Sequence, residues 1–266
     1  MIPGGDPHGP GPNRLPPAQE ARFRRLLRWY PRGWRAHHGE ALLGTLLDLA
    51  EHEGRTSPSA GEGFAAAVNG LGTRLDRRFA FWSALAALAA GLTAIPMVAD
   101  GLRGAENLAY PALAVLLAPG LAATAVIGHV RQARIVSPAR AMLILALAWA
   151  ALAVAAVAQA LWVVGFDMAD AGLPTTGLIA GFWQVFGVAV VLGAVAIAAV
   201  IEAMMMRAGV GGRPVRVLTG GVIGAVAAPA IGLSLITPVA VLFVSIALAI
   251  SARPRREAAA QPPASA

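Results

Sequence analysis

Apolar residues follow two rhythms along this chain. From Ala18 to about Leu75 they recur at helical spacing among polar residues, and from Phe79 to near Ser251 they fuse into long blocks broken by short arginine-bearing loops. In the first region Phe23, Leu26, Leu27 and Tyr30 stand at i, i+3, i+4 and i+7. This predicts one apolar stripe on a helix whose remaining surface carries Arg22, Arg24, Arg25 and Arg28 and which Pro31 ends. A second helix is predicted from about Trp34 to Glu53, with Leu42, Leu43, Leu46, Leu47 and Ala50 on its apolar face and Gly54 as its stop. A third begins at Ser59, which has the capping-box spacing to Glu62, and carries Phe64, Val68, Leu71 and Leu75 as its apolar face.

A helix needs about 20 apolar residues to cross the hydrocarbon core of a bilayer. Four stretches meet that requirement, at about 79–99, 110–130, 141–165 and 177–203. The last block, 217–251, is too long for one span and suits two, about 217–233 and 236–251, with a turn near Leu233 to Pro238. Arginines retained on the cytoplasmic side of short loops test the count independently. Arg74, Arg77 and Arg78 precede the first span, Arg131, Arg134 and Arg140 follow the second, Arg207, Arg213 and Arg216 follow the fourth, and Arg253, Arg255 and Arg256 follow the last. The intervening loops carry Arg103 with Asp100, Glu106, Asp167 and Asp170. An even number of crossings must separate Arg216 from Arg253. The expected fold is therefore all-α: a polytopic membrane protein of the plasma (inner) membrane with six transmembrane helices over 79–252, both termini cytoplasmic, and a three-helix cytosolic prefix over 18–78.

Composition agrees with this reading. Hydrophobic residues make up 57% of the 266 positions and charged ones 13%, about half the share usual in soluble domains; the mean hydropathy is +0.65. The net charge of +7 comes from 21 basic residues that are all arginine, and their place at the ends of apolar blocks suits a membrane protein better than a nucleic-acid binder. With no cysteine in the chain, disulfides, thiolate metal sites and cysteine nucleophiles are excluded. Residues 1–17, rich in Pro and Gly, and 253–266 are expected to be disordered tails. Because the first of these lacks the apolar core of a secretory signal, the first span is expected to direct insertion.

The run Leu26-Leu27-Arg28-Trp29-Tyr30-Pro31-Arg32-Gly33-Trp34-Arg35, followed by Gly39-Glu40, Leu42-Leu43, Leu46 and Asp48, resembles the N-terminal permease-prefix (HAAS-like) module of actinobacterial membrane proteins and some ABC-type permeases. The likeness spans roughly residues 22–75 around a Tyr-Pro-x-x-Trp-Arg core, with His38 where the family carries an aromatic residue before the Gly-Glu pair. It implies a cytosolic helical prefix joined to a membrane domain.

Polar groups inside the spans are the natural candidates for function, since each is costly to bury unless paired or able to reach the interface. Glu202 and His129 lie near the ends of their spans, where snorkelling or pairing with Arg207 or Arg131 accounts for them. Gln159 and Gln184 lie deeper and suit interhelical hydrogen bonds. Pro119, beside Gly120, and Pro229 interrupt the second and fifth spans, either as kinks filled by neighbouring helices or as matched positions of an inverted repeat around a substrate. Gly220, Gly224, Ala228 and Gly232 form a narrow ladder for close helix approach. In the prefix, His37, His38, Glu40, Glu51 and His52 lack the His-Glu-x-x-His spacing of a zinc hydrolase.

No residue set suggests catalysis or a cofactor. The expected role is that of a non-enzymatic membrane protein acting through lipid and protein contacts, as a subunit, a regulatory partner or a homo-oligomer, without nucleic acid. A small-molecule transporter or ABC-type permease subunit is the alternative.

Overall fold

A computed structural model of the chain describes residues 17–101, 111–133, 135–233 and 241–247. Residues 1–16, Arg103, Glu106, Arg134, the turn expected at 233–238 apart from Leu233, the parts of the expected last span (236–251) on either side of 241–247, and 252–266 lie outside these residues. The chain divides into two compact units, Met1–Arg74 and Leu75–Ala266.

The first unit holds α1 (Pro17–Arg24), a 3-10 turn over Arg25–Trp29, α2 (Arg32–His52) and α3 (Ala60–Arg74). Phe23, Leu27 and Tyr30 are buried as the stripe requires, and Phe23 and Leu27 pack with Leu43 and Ala50 of α2. The first helix tightens into the 3-10 turn before Pro31 ends it. Gly54 stops α2 at a φ of +65°, a conformation that costs glycine nothing. Ser59 and Glu62 form the capping box: the Glu62 amide donates to Ser59 Oγ at 3.1 Å and the Ser59 amide to Glu62 Oε2 at 2.7 Å. Arg55 also reaches both Glu62 oxygens at 3.0 Å and pairs with Glu53, while Gln19 donates to the Arg55 carbonyl at 3.0 Å.

The third helix turns a different face inward from the one its large residues predict. Ala66 and Gly70 are buried, whereas Phe64 and Leu71 are exposed. The reason is a backbone contact: a β-carbon at Gly70 would lie 2.6 Å from the carbonyl carbon of Trp29. Arg74 fixes the approach by donating to the carbonyls of Trp29 at 3.1 Å and Arg28 at 3.3 Å.

The second unit holds α4 (Arg77–Gly101), a π-helical turn (Pro111–Leu117) leading into α5 (Ala118–Gln132), α6 (Pro138–Asp170), α7 (Thr176–Arg207) and α8 (Arg213–Leu233), with a helical segment at 241–247. No strand occurs among the described residues. Among the described residues four helical stretches are long and apolar enough to cross a membrane: Arg77–Met97, Ala112–Gln132, Pro138–Asp170 and Thr176–Arg207. The 33 residues of α6 and 32 of α7 extend about 50 Å at 1.5 Å per residue, longer than the apolar runs alone suggest.

Successive helices run antiparallel. Ala80 of α4 meets Gly128 of α5, while Ala87 packs with Ala118 and Ala122. Ile127 and Val130 of α5 share a core with Ala141 and Ile144 of α6. Ala158 of α6 packs with Phe182 and Phe186 of α7, and α7 meets α8 through Ala198 with Gly220 and Ala194 with Gly224.

The Arg55 guanidinium, with the Ser59 amide and hydroxyl adding to it, lowers the Glu62 carboxyl from an ordinary 4.5 to about 2. Because the folded value is the lower one, this stabilisation is complete above about pH 4.5 and is lost as pH falls through about 2. Hydrogen exchange on the full-length protein, corrected for intrinsic rate, should show the first-turn amides of α3 equally protected at pH 7 and 5 and exposed towards pH 2. Glu62→Gln should lower their protection at neutral pH by about 1 kcal/mol, the usual value of a cap.

Candidate functional site

Polar chemistry in the second unit concentrates at one end. Because neighbouring helices alternate in direction, the start of α4, the end of α5, the start of α6, the end of α7 and the start of α8 meet there. Arg77, Arg78, Arg131, Arg140, Arg207, Arg213 and Arg216 are thereby gathered. Asp167 and Asp170 lie at the opposite end of α6.

Within the arginine end, Glu202 accepts from Arg140 at 3.0 Å across α6 and α7, with side chains 24% and 34% exposed. For Glu202 and His129 the sequence suggests snorkelling or a local pair with Arg207 or Arg131, and Arg140 is a partner it does not suggest. Arg207 instead donates to the Ala133 carbonyl, closing an open backbone acceptor at the end of α5. Arg216 donates to the Gly211 carbonyl at 2.7 Å. At the start of α4, Asp76 caps the Phe79 amide at 2.8 Å, and at the start of α6 Ser137 Oγ accepts from the Arg140 amide at 3.3 Å. Three nitrogen atoms in the last turn of α5, the ring atom His129 Nδ1 and the donors Arg131 Nε and Gln132 Nε2, are enclosed without a hydrogen-bond partner among the described residues.

A second polar node lies deeper, where Pro119 and Gly120 interrupt the helical run. Pro119 offers no N–H to Val115, and the backbone ahead of it widens into the π-helical turn. The Trp149 ring of α6 fills the space beside Gly120, where a β-carbon would fall 2.7 Å from the indole. Trp149 Nε1 donates to Thr124 Oγ1 at 3.0 Å, and Thr124 donates to the Gly120 carbonyl at 2.7 Å. The break is thus filled by an aromatic ring whose one polar atom is satisfied. Neither Thr124 nor Trp149 stood out in the sequence. As polar side chains in the middle of apolar blocks, they carried the same signal as Gln159 and Gln184.

The glycine ladder of α8 lies on α7. A β-carbon at Gly220 would stand 2.9 Å from the Ala198 carbonyl oxygen, and one at Gly224 3.1 Å from the Ala194 Cα. Ala228 faces Gly193 one turn further along, beside half-buried Pro229. Gln159 is half-buried in α6, and Gln184 is exposed on α7. At the far end, Leu161, Trp162, Phe166, Ile179 and Phe182 line an apolar cleft of about 130 Å³.

In the first unit, Tyr30 stacks on Trp34 at 4.1 Å between ring centroids, and the His38 ring lies tilted against Trp34 at 5.2 Å. His37 Nδ1 lies 2.8 Å from the Gly33 carbonyl oxygen. Among the described residues no group of three or more His, Cys, Asp or Glu side chains is placed to hold a metal. Comparison with protein-family models, curated proteins and solved structures finds no match.

Three substitutions test the packing. Gly224→Ala forces α7 and α8 apart and should destabilise the detergent-solubilised protein by about 1–3 kcal/mol. Gly221→Ala, whose β-carbon meets nothing within 4 Å, should be neutral or slightly stabilising. Trp149→Phe keeps the ring but loses its hydrogen bond to Thr124 and should cost about 0.6 kcal/mol, measured with Gly224→Ala in the same thermal or denaturant series.

Proposed function

We propose that the protein is a six-span membrane protein of the plasma membrane, with its arginine end, its N-terminal helical prefix and both termini in the cytoplasm. It works by contact with lipid and with a membrane partner rather than by catalysis. The observation that carries this reading is how the polar groups of the second unit are used: Trp149 holds Thr124 across α5 and α6, and Arg140 holds Glu202 across α6 and α7. Both contacts use polar side chains to join helices. The collection of arginines at one end supports a cytoplasmic orientation for it. Val188, Val191 and Val195 of α7 and Leu218, Val222 and Val226 of α8 are exposed and suit contact with lipid or a second protein. The likeness of residues 22–75 to a permease prefix agrees with a cytosolic module beside a membrane domain.

Fusions carrying a reporter active only outside the cytoplasm should be active near Asp170 and inactive near Arg134; the opposite pattern overturns the orientation. Crosslinking in the native membrane should recover a stoichiometric membrane protein or a second copy of the chain. Purified monomer that alone moves a solute across proteoliposomes would replace this reading with transport.

A further inference from the structure

Where α5, α6 and α7 meet, the described residues carry more positive charge than their own carboxylates engage. Of the cations where α5, α6 and α7 meet, Arg140 has Glu202. Among the described residues Arg131 and Arg207 pair with no carboxylate; Arg207 uses a backbone oxygen. The nearby Asp76 carboxylate accepts from the Phe79 amide. In the same place, among the described residues, the Arg131 Nε and Gln132 Nε2 donors and the His129 Nδ1 ring nitrogen are enclosed without a hydrogen-bond partner. Buried donors left unpaired are costly, and a cluster of them in one helical turn is what a ligand with several acceptor oxygens relieves.

We infer that this end of the second unit holds the phosphate of an anionic phospholipid headgroup, with Arg131, Gln132 and the Nδ1–H tautomer of His129 as its donors and Arg207 adding positive charge. The inference rests on the cytoplasmic orientation proposed above, because that leaflet carries the anionic lipids. A phosphate is favoured over a carboxylate side chain because Glu202 already serves Arg140. A lipid is favoured over a soluble phosphate because apolar side chains near these helix ends stand exposed: Phe79 and Trp82 near the start of α4 and Leu143 near the start of α6. Acyl chains can lie along them while the headgroup reaches the arginines.

The test is thermal unfolding of the full-length protein in a neutral detergent, titrated separately with phosphatidylglycerol, phosphatidylcholine, inorganic phosphate and a short oligonucleotide. Phosphatidylglycerol should raise Tm saturably by at least about 3 °C, and the other three should not. Arg131→Gln should abolish this rise while leaving the lipid-free Tm equal or higher, since it removes a buried donor that has no partner; Arg22→Gln, an exposed change on α1, should keep the rise. An undiminished response in Arg131→Gln overturns the site, and an equal response to inorganic phosphate or oligonucleotide overturns the lipid assignment. Should Arg131→Gln fail to fold, native mass spectrometry of the wild-type chain decides. Phosphatidylglycerol retained against a tenfold excess of phosphatidylcholine supports the site, and none retained overturns it. The reporter fusions read orientation separately, so a correct topology without a lipid response counts against the site alone.

Discussion

Backbone approach between helices is the constraint on which the second unit depends. In a bilayer the lipid tails are as apolar as the side chains, so helices gain little by burying leucine. They associate through close van der Waals contact where small residues allow it. Gly220 and Gly224 on Ala198 and Ala194, and Gly128 on Ala80, are such contacts. The first unit uses the same device at Gly70 and Trp29, where backbone proximity decides the inward face of α3 against the larger Phe64 and Leu71.

Polar atoms are few and are placed at junctions. The Thr124–Trp149 bond makes up for a helix interrupted by Pro119, and the Arg140–Glu202 pair joins two helix ends 62 residues apart in sequence. Removing Thr124 strands the Trp149 indole N–H at depth, so this bond specifies which helices meet as much as it stabilises the meeting.

Much of the helical layout was legible from periodicity, because an apolar block of twenty residues between arginines has few alternatives. The capping box at Ser59 and Glu62 and the stop at Gly54 were legible for the same local reason. What escaped depends on contacts between distant segments. Glu202 has Arg207 five residues away in sequence, yet the antiparallel return of α6 brings Arg140 instead. The role of Trp149 follows only from the space that Gly120 leaves on a different helix. The 3-10 turn over Arg25–Trp29 preserves the apolar stripe closely enough that spacing alone cannot separate it from an α-helix.

The length of the α6–α7 hairpin has a mechanical consequence. A hydrocarbon layer of about 30 Å cannot enclose two upright helices of about 50 Å, so the pair must project beyond it or lean. It is fastened near both ends, by the Arg140–Glu202 pair at one and by Ala158, Phe182 and Phe186 towards the other. Such a pair meets a thinner or thicker bilayer by changing its tilt as one stiff strut, while its helices remain wound.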